Sequence, residues 1–375
     1  MKGQSIGGVL SRSDVFMMVA AVVFTVASPL VTGLGNLLPF LVAAVAVALL
    51  AALVGRSVDH LADRLGAGAV GVLQSALGNL PELFICIFAL RAGLTEVVTS
   101  ALIGSILGNL LLVLGLAFLC GGLHNGVLKY SEGRARMIMS LMILSVAAMI
   151  VPSLASYVHS PAAGHEIGLS RITAVVLLLV FVASIPASLR REDPATRHGA
   201  EPTSAESAAE ARAGEHEQEQ ERRWPMALAI AMLAITGVLA AYVSDLFVDG
   251  LQPALGALHI SQAFAGLVVV ATAGNAVENA VGVKLAWQNQ ADHALSVVLN
   301  SPLQIALVLA PVLVLISPLI GGAAFTLVFS PMLVAAMTLS TVAVAFLVAD
   351  GESDWLEGAT MIGLYVLIAG AFWWG

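Results

Sequence analysis

Charge is what this chain has least of. Only 11% of its 375 residues are Asp, Glu, Lys or Arg, against about 25% in a typical soluble domain. Too few polar groups remain to coat a water-facing globule, and no basic surface is available for nucleic acid. Cysteine is almost absent. Cys86 and Cys120 both lie in apolar runs, where they read as small buried hydrophobes, and their spacing suggests neither a disulfide nor a metal site. There is no His-Glu-x-x-His, no Gly-x-Ser-x-Gly and no phosphate-binding loop, so an enzyme and a resident cofactor are not expected. A cleavable signal peptide is not expected either. Met1–Arg12 is polar, and the apolar run after it has no small-residue cleavage site.

What is present is apolar sequence, 59% of the chain. It comes in unbroken runs of about 20 residues, the length of a membrane-crossing helix, rather than the alternating stretches of about 10 residues that barrel strands show. The reading is an all-α polytopic membrane protein of about eleven spans, near 15–34, 37–56, 70–90, 96–119, 135–152, 172–189, 225–244, 263–286, 294–316, 324–348 and 356–374. With the N-terminus in the cytoplasm, 14 of the 16 Lys and Arg residues fall on the inner side, and only Arg91 and Arg171 fall outside. That bias sets the orientation. Trp224, Trp355, Trp373 and Trp374 lie near span ends and read as interface anchors. His60, His124, His159, His165 and His293 stand singly near membrane ends and read as surface residues.

The chain divides into an extra N-terminal helix (1–36), a first five-helix unit (37–189), an acidic cytoplasmic linker (190–223) and a second five-helix unit (224–375). The linker holds nine acidic and six basic residues, and 205–223 has the composition of a solvated helix. The two units repeat. A shift of 196 residues carries Gly78, Asn79 and Glu82 onto Gly274, Asn275 and Glu278, and Ser100 and Ser105 onto Ser296 and Ser301. Asp59 and Asp63 find a counterpart in Asp245 and Asp249, as caps and solvated loop ends or as a cation funnel. Asp350, Glu352, Asp354 and Glu357 form another acidic group with the same two readings. Five spans per unit is an odd number, so the copies enter the membrane from opposite sides. That is the inverted repeat of many secondary transporters.

The shared motif carries the chemistry. A carboxylate at bilayer depth costs roughly 2.5–3.5 kcal/mol on insertion scales and is seldom kept without a use. Here there are two, Glu82 and Glu278. Asn79 and Asn275 lie three residues before them, on the same helical face. Gly78 and Gly274 weaken the helix there and Pro81 removes a donor, which leaves carbonyls for a cation. The next span of each unit adds Ser105 with Asn109, and Ser301 with Gln304, which read as ligands or as polar glue between helices. Carboxylate, amide and backbone oxygens suit a hard cation such as Ca²⁺, which takes 6–8 oxygens. Two facing glutamates cannot both stay charged in an empty low-dielectric site. They can when Ca²⁺ binds, and two protons neutralise them equally well. Obligatory exchange of Ca²⁺ for protons follows.

These residues resemble a family. Gly78–Glu82, Gly104-Ser105 with Asn109–Gly115, Cys120-Gly121-Gly122, Gly274–Glu278 and Ser301 with Gln304 are similar to the alpha-repeats of the Ca²⁺/proton exchangers, within the Ca²⁺/cation antiporter superfamily. The likeness is strongest over 70–122 and 266–311. It implies that Glu82 and Glu278 bind Ca²⁺ and carry protons, and that the linker resembles the family's acidic helix, suggested to attract or sense cytosolic Ca²⁺. Two departures stand out. Asn279 occupies a place where the family often has His, and Leu80-Pro81-Glu82 also resembles Na⁺/Ca²⁺ exchangers. Those relatives tend to carry an acid or amide at the place of Ile305, whose apolar side chain here favours protons. A Na⁺/Ca²⁺ or Na⁺(K⁺)/H⁺ exchanger on the same scaffold is the alternative. The composition fits a prokaryotic plasma (inner) membrane surrounded by lipid. A homo-oligomer is compatible with the sequence, which sets no number of subunits.

Overall fold

A computed structural model of the chain describes residues 11–65, 77–191, 224–321 and 324–374, without the side chains of 12, 62–65, 186–191 and 276–278. The helices, in order, are α1 Arg12–Leu30, α2 Leu38–Leu65, α3 Leu80–Arg91, α4 Thr95–Asn125, α5 Glu132–Tyr157, α6 Glu166–Arg191 and α7 Met226–Leu258. Then come α8, which starts at Gln262–Phe264 and ends as Ala271–Trp287, α9 Ala291–Ile320, α10 Pro331–Leu347 and α11 Trp355–Phe372. Among the described residues, eight helices are long and apolar enough to cross a membrane, or nine with the bent α8. The short ones are α3, with 12 residues, and α10, with 17. The start of the expected 70–90 span, Asp63's side chain and the acidic linker from 192 to 223 lie outside the described residues.

The first helices of the two units, α2 and α7, lie along each other, and α1 lies against α2. A capping box of Ser11 and Asp14 starts α1, and Asp14, almost buried, forms an ion pair with Arg56 of α2. At the centre α4 crosses α8. Gly104 lies on the backbone of Leu267, and Gly266 on Ser100 and Val97. Only glycine lets two backbones approach this closely. Further along α4, a methyl on Gly115 would stand 2.9 Å from the Gly358 carbonyl of α11, and one on Gly122 would stand 2.6 Å from the Trp355 nitrogen.

Among the described residues, three helices carry a π-helical segment, Gly108–Val113 in α4, Ala265–Val270 in α8 and Ile305–Leu309 in α9. Those in α4 and α9 begin three and four residues after Ser105 and Ser301. The 196-residue shift therefore brings them together to within one residue. Such segments gather at functional sites, because they release carbonyls from the regular ladder.

Two expectations are corrected. The tenth span does not start at 324. Phe325, Leu327 and Phe329 point inward from an extended segment, each 1% exposed or less. Its amides are met by hydroxyls, Phe325 N to Ser317 Oγ at 2.9 Å, Leu327 N to Ser170 Oγ at 3.0 Å and Phe329 N to Ser153 Oγ at 2.9 Å. Pro331 disfavours the helical conformation at Ser330, which is extended and caps α10. Trp224 is not an interface anchor. It is fully buried, stacked on His60 and packed with Leu61 and Ala229.

At one end of the bundle three loops are tied together. A short antiparallel pair joins β1 Leu128–Lys129 to β2 Glu352–Ser353. The Tyr130 hydroxyl meets Ser353 Oγ at 2.8 Å and donates to Glu352 O at 3.1 Å, and Ser131 N donates to Asp292 at 2.8 Å. Burial pushes the Tyr130 phenol up to about 12; neighbouring Asp350, Glu357 and Glu352 add to the rise and the Ser353 hydrogen bond opposes it.

Candidate functional site

The first motif breaks its helix. Gly78 and Asn79 form a turn, Asn79 is the N-cap of α3, and the helix restarts at Leu80. Pro81 falls in the first turn, where its missing N–H would be unpaired in any case. Glu82 follows it there. A carboxylate in a first helical turn is favoured by the free N–H groups and the helix dipole. Glu82 is only 1% exposed, and its Oε1 accepts a hydrogen bond from the Ser105 hydroxyl of α4.

The second motif lies against the first. Gly274 faces the side chain of Glu82, such that a methyl there would stand 3.5 Å from Glu82 Cβ and 3.7 Å from Cδ. Unlike its counterpart, this copy keeps a helical backbone within Ala271–Trp287, but the helix axis bends by 66° between Asn275 and Asn279. The Glu278 side chain lies outside the described residues.

A polar chain extends from Glu82 through α4 into α9. Asn109 Nδ2 donates to Ser105 O at 2.9 Å and to Ser301 Oγ at 3.4 Å. Ser105 O can only accept, so the amide is oriented with Oδ1 at its open end. Asn109 is 2% exposed, and its Oδ1 has no hydrogen-bond partner among the described residues. Asn275 Nδ2 donates to Ala271 O at 3.2 Å, which leaves its own oxygen available. Gly104, Ser105, Gly108, Asn109, Asn275 and Asn279 line a crevice between α4 and α8.

Of the residues singled out from sequence, Glu82, Ser105, Asn109, Ser301, Gly274 and Asn275 are therefore brought together. Asn79 is buried nearby, with Nδ2 unpaired among the described residues. Gly78 and Gln304 line neither the crevice nor this chain of bonds. Among the described residues no three His, Cys, Asp or Glu side chains converge on one point, so a cation held here would rest mainly on amide, hydroxyl and backbone oxygens beside the carboxylate. Sequence reasoning missed the Gly104–Gly266 crossing and Tyr365, which also lines the crevice. The two glycines stand within the resembling stretches, but nothing local marks Tyr365.

Comparison with known proteins fits this arrangement. The family described as sodium/calcium exchanger protein matches residues 35–189 and 228–374. The chain belongs to that family. It is 34% identical over 346 residues to the Ca²⁺/H⁺ antiporter of Synechocystis sp. (strain ATCC 27184 / PCC 6803 / Kazusa), covering 91% of this chain and 92% of the relative. It is 32% identical over 335 residues to the Ca²⁺/H⁺ antiporter ChaA of Bacillus subtilis (strain 168), covering 89% and 91%. The solved structure of the selenium-substituted Ca²⁺/H⁺ antiporter protein YfkE superposes with a TM-score of 0.75 at 29% identity, over 96% of this chain and 98% of that one. This member of the exchanger family is an integral membrane transporter, not an enzyme.

Proposed function

We propose that this protein is a secondary antiporter that exchanges Ca²⁺ for protons by alternating access. The observation that carries the reading is Glu82, buried at the crossing of the motif helices, held by Ser105 and packed against Gly274 of the second motif. Glu82 and Glu278 take either ion. The Ca²⁺-loaded and the doubly protonated sites are both near neutral and can change sides, whereas the empty pair of charges is penalised. Glu82, Glu278, Asn79, Asn275, Ser105, Ser301, Gln304, Asn109 and the carbonyls near Gly78 and Gly274 supply the oxygens. The relatives' names, Ca²⁺/H⁺ antiporter in each case, support the same pair of ions.

In this reading eleven spans form two inverted five-helix repeats after α1, in a prokaryotic inner membrane with the N-terminus in the cytoplasm. The matched placement of the π segments in α4 and α9 supports the repeat. The tied loops 126–131, 288–290 and 348–354 then face the cytoplasm.

Exchange of Na⁺ is the competing reading, and the family description itself raises it. Ile305, fully buried and apolar, offers no side-chain oxygen next to Gln304. Proteoliposomes loaded with a Ca²⁺ indicator decide between the two. A pH step should drive Ca²⁺ flux and a Na⁺ step should not, and Glu82→Gln or Glu278→Gln should abolish it. Near-normal flux in either variant refutes the glutamate mechanism, and flux that needs Na⁺ refutes the proton.

A further inference from the structure

The first half of α9 carries a side-chain oxygen on every fourth residue. Asp292, Ser296, Asn300 and Gln304 follow one another at i,i+4 spacing, so they share one helical face in rungs about 6 Å apart. Asn300 is exposed and Ser296 and Gln304 are half-buried, whereas Leu295, Val298, Leu299 and Pro302, elsewhere around the helix, are buried. Asn300 stands roughly 14 Å along the axis from Ala291, at bilayer depth in an apolar helix of 30 residues. An amide facing hydrocarbon there would leave its donors and acceptor unmet, and polar side chains at that depth almost always face the protein interior or a water-filled cavity. The outermost rung is fixed to the tied loops. Asp292 Oδ1 accepts from Ser131 N at 2.8 Å, its Oδ2 pairs with Arg134 at 3.4 Å, and Arg134 also reaches Ser296 Oγ at 3.4 Å.

The repeat supplies the comparison. The 196-residue shift sets Glu96, Ser100, Gly104 and Gly108 of α4 against these four residues. In α4 the middle of that face is sealed. Ser100 is fully buried under Gly266, and Gly104 lies on the backbone of Leu267. The covered face has glycine where the uncovered one has Asn300, a side chain too large for a backbone-to-backbone crossing. We propose that Ser296, Asn300 and Gln304 form a water-lined ladder that guides a partly hydrated Ca²⁺ between the tied-loop end and the Glu82 site. Gln304, which takes no part in the crevice or in the bonds around Glu82, is its innermost rung, three residues from Ser301. Hydroxyl and amide oxygens can each replace a water in the flexible shell of Ca²⁺. Arg134 offsets the charge of Asp292, so no rung holds the ion tightly. Weak successive sites are what passage requires, because an ion must be able to leave each site as well as enter it.

The ion named here rests on the antiport reading, and the test keeps the two separable. Asn300→Cys is made in a chain carrying Cys120→Ala, and its reaction with a charged, membrane-impermeant thiol reagent is timed in proteoliposomes. The parent chain sets the background from buried Cys86. Asn289→Cys in a tied loop and Leu339→Cys on the exposed apolar face of α10 are the controls. Asn300→Cys should react at close to the rate of the loop control, and from the same side of the membrane. Reactivity as low as that of Leu339→Cys places the residue in lipid and overturns the ladder, whatever ion is carried. Flux is then read with Ca²⁺ supplied from each side in turn. Asn300→Ala should raise the KM for Ca²⁺ about fivefold on the tied-loop side and leave it unchanged on the other. A KM unchanged on both sides overturns the ladder, and so does an equal rise on both, which marks a packing role. If instead the wild type shows no pH-driven flux, the antiport reading itself fails, and the labelling still decides whether this face is wet.

Discussion

Replacing Gly104 with alanine asks whether α4 and α8 must meet backbone to backbone. A methyl group on Gly104 would overlap the carbonyl and Cα of Leu267. Both obstacles are backbone, so no change of rotamer clears them. Non-bonded carbons rest at about 3.5–4.0 Å, so α4 and α8 would have to part by roughly 1 Å or more. Overpacking of this kind costs about 1–3 kcal/mol in a well-packed interior. The functional cost should be larger. The crossing holds Gly274 against Glu82 and Asn275 across the crevice from Ser105 and Asn109. Misplacing reacting groups by about 1 Å can cost on the order of a hundredfold in rate. Gly55 of α2 is the control, because a methyl there meets nothing within 4 Å. Thermal unfolding in detergent and Ca²⁺ flux in proteoliposomes are read for both variants. Gly104→Ala should melt earlier and lose at least about tenfold in flux. Gly55→Ala should be neutral, or more stable by about 0.4–1 kcal/mol. A Gly104→Ala protein with wild-type melting and flux would show that the helices do not cross there, and the arrangement built on that crossing would fail.

Ser105→Ala removes the hydroxyl that holds Glu82; a hydrogen bond to a charged group is worth about 1.5–3 kcal/mol, so the KM for Ca²⁺ should rise about tenfold or more in the flux assay. Ser153→Ala with Ser170→Ala strips the amides of Phe329 and Leu327 of their acceptors, at a cost of about 1–3 kcal/mol per unpaired group. Earlier thermal unfolding and faster proteolysis of the 324–330 segment are expected, and unchanged values would mean that water replaces the hydroxyls. The Tyr130 phenol is raised from 10.0 to about 12 in the folded protein. Its contribution is therefore complete below pH 10 and is lost as pH climbs toward 12. Tyr130→Phe should remove that part of the alkaline loss of stability, which a melting series from pH 8 to about pH 12 would detect.

The site was legible where chemistry recurs and illegible where it depends on what crosses it. Glu82 stood out because a carboxylate in an apolar run is expensive, and the 196-residue echo ruled out accident. Ser105 and Asn109 could be read as its neighbours because their spacing puts them on one face. By contrast, the 324–330 segment was taken as helix because hydropathy cannot tell a buried strand from a buried helix. The alternation of Phe325, Leu327 and Phe329 ahead of Ser330-Pro331 was a usable signal for the extended form. Trp224 was placed at the interface by its position near a span end. Only the fold reveals that Leu61 and Ala229 enclose it. No local feature could have placed Tyr365 at the crevice, since its position there depends on Gly358 and Gly115 drawing α11 onto α4.

The two motifs share three residues but not a conformation, and one substitution accounts for the difference. Where the first copy has Pro81, the second has Val277. Proline is tolerated in a first turn and disfavoured further in. The first copy accordingly starts a helix at Leu80 after a turn at Gly78-Asn79, and the second keeps a helical backbone through Gly274 and Asn275 and then bends by 66° before Asn279. Glu82 thus sits in a first helical turn, where free N–H groups and the dipole favour a carboxylate, whereas Glu278 falls at the bend of α8. The two acids need not be equivalent, even though the repeat makes them look so. Glu82→Asp should weaken Ca²⁺ affinity in the flux assay, because the shorter side chain draws the carboxylate away from the Ser105 hydroxyl that it accepts from; unchanged affinity would refute that placement.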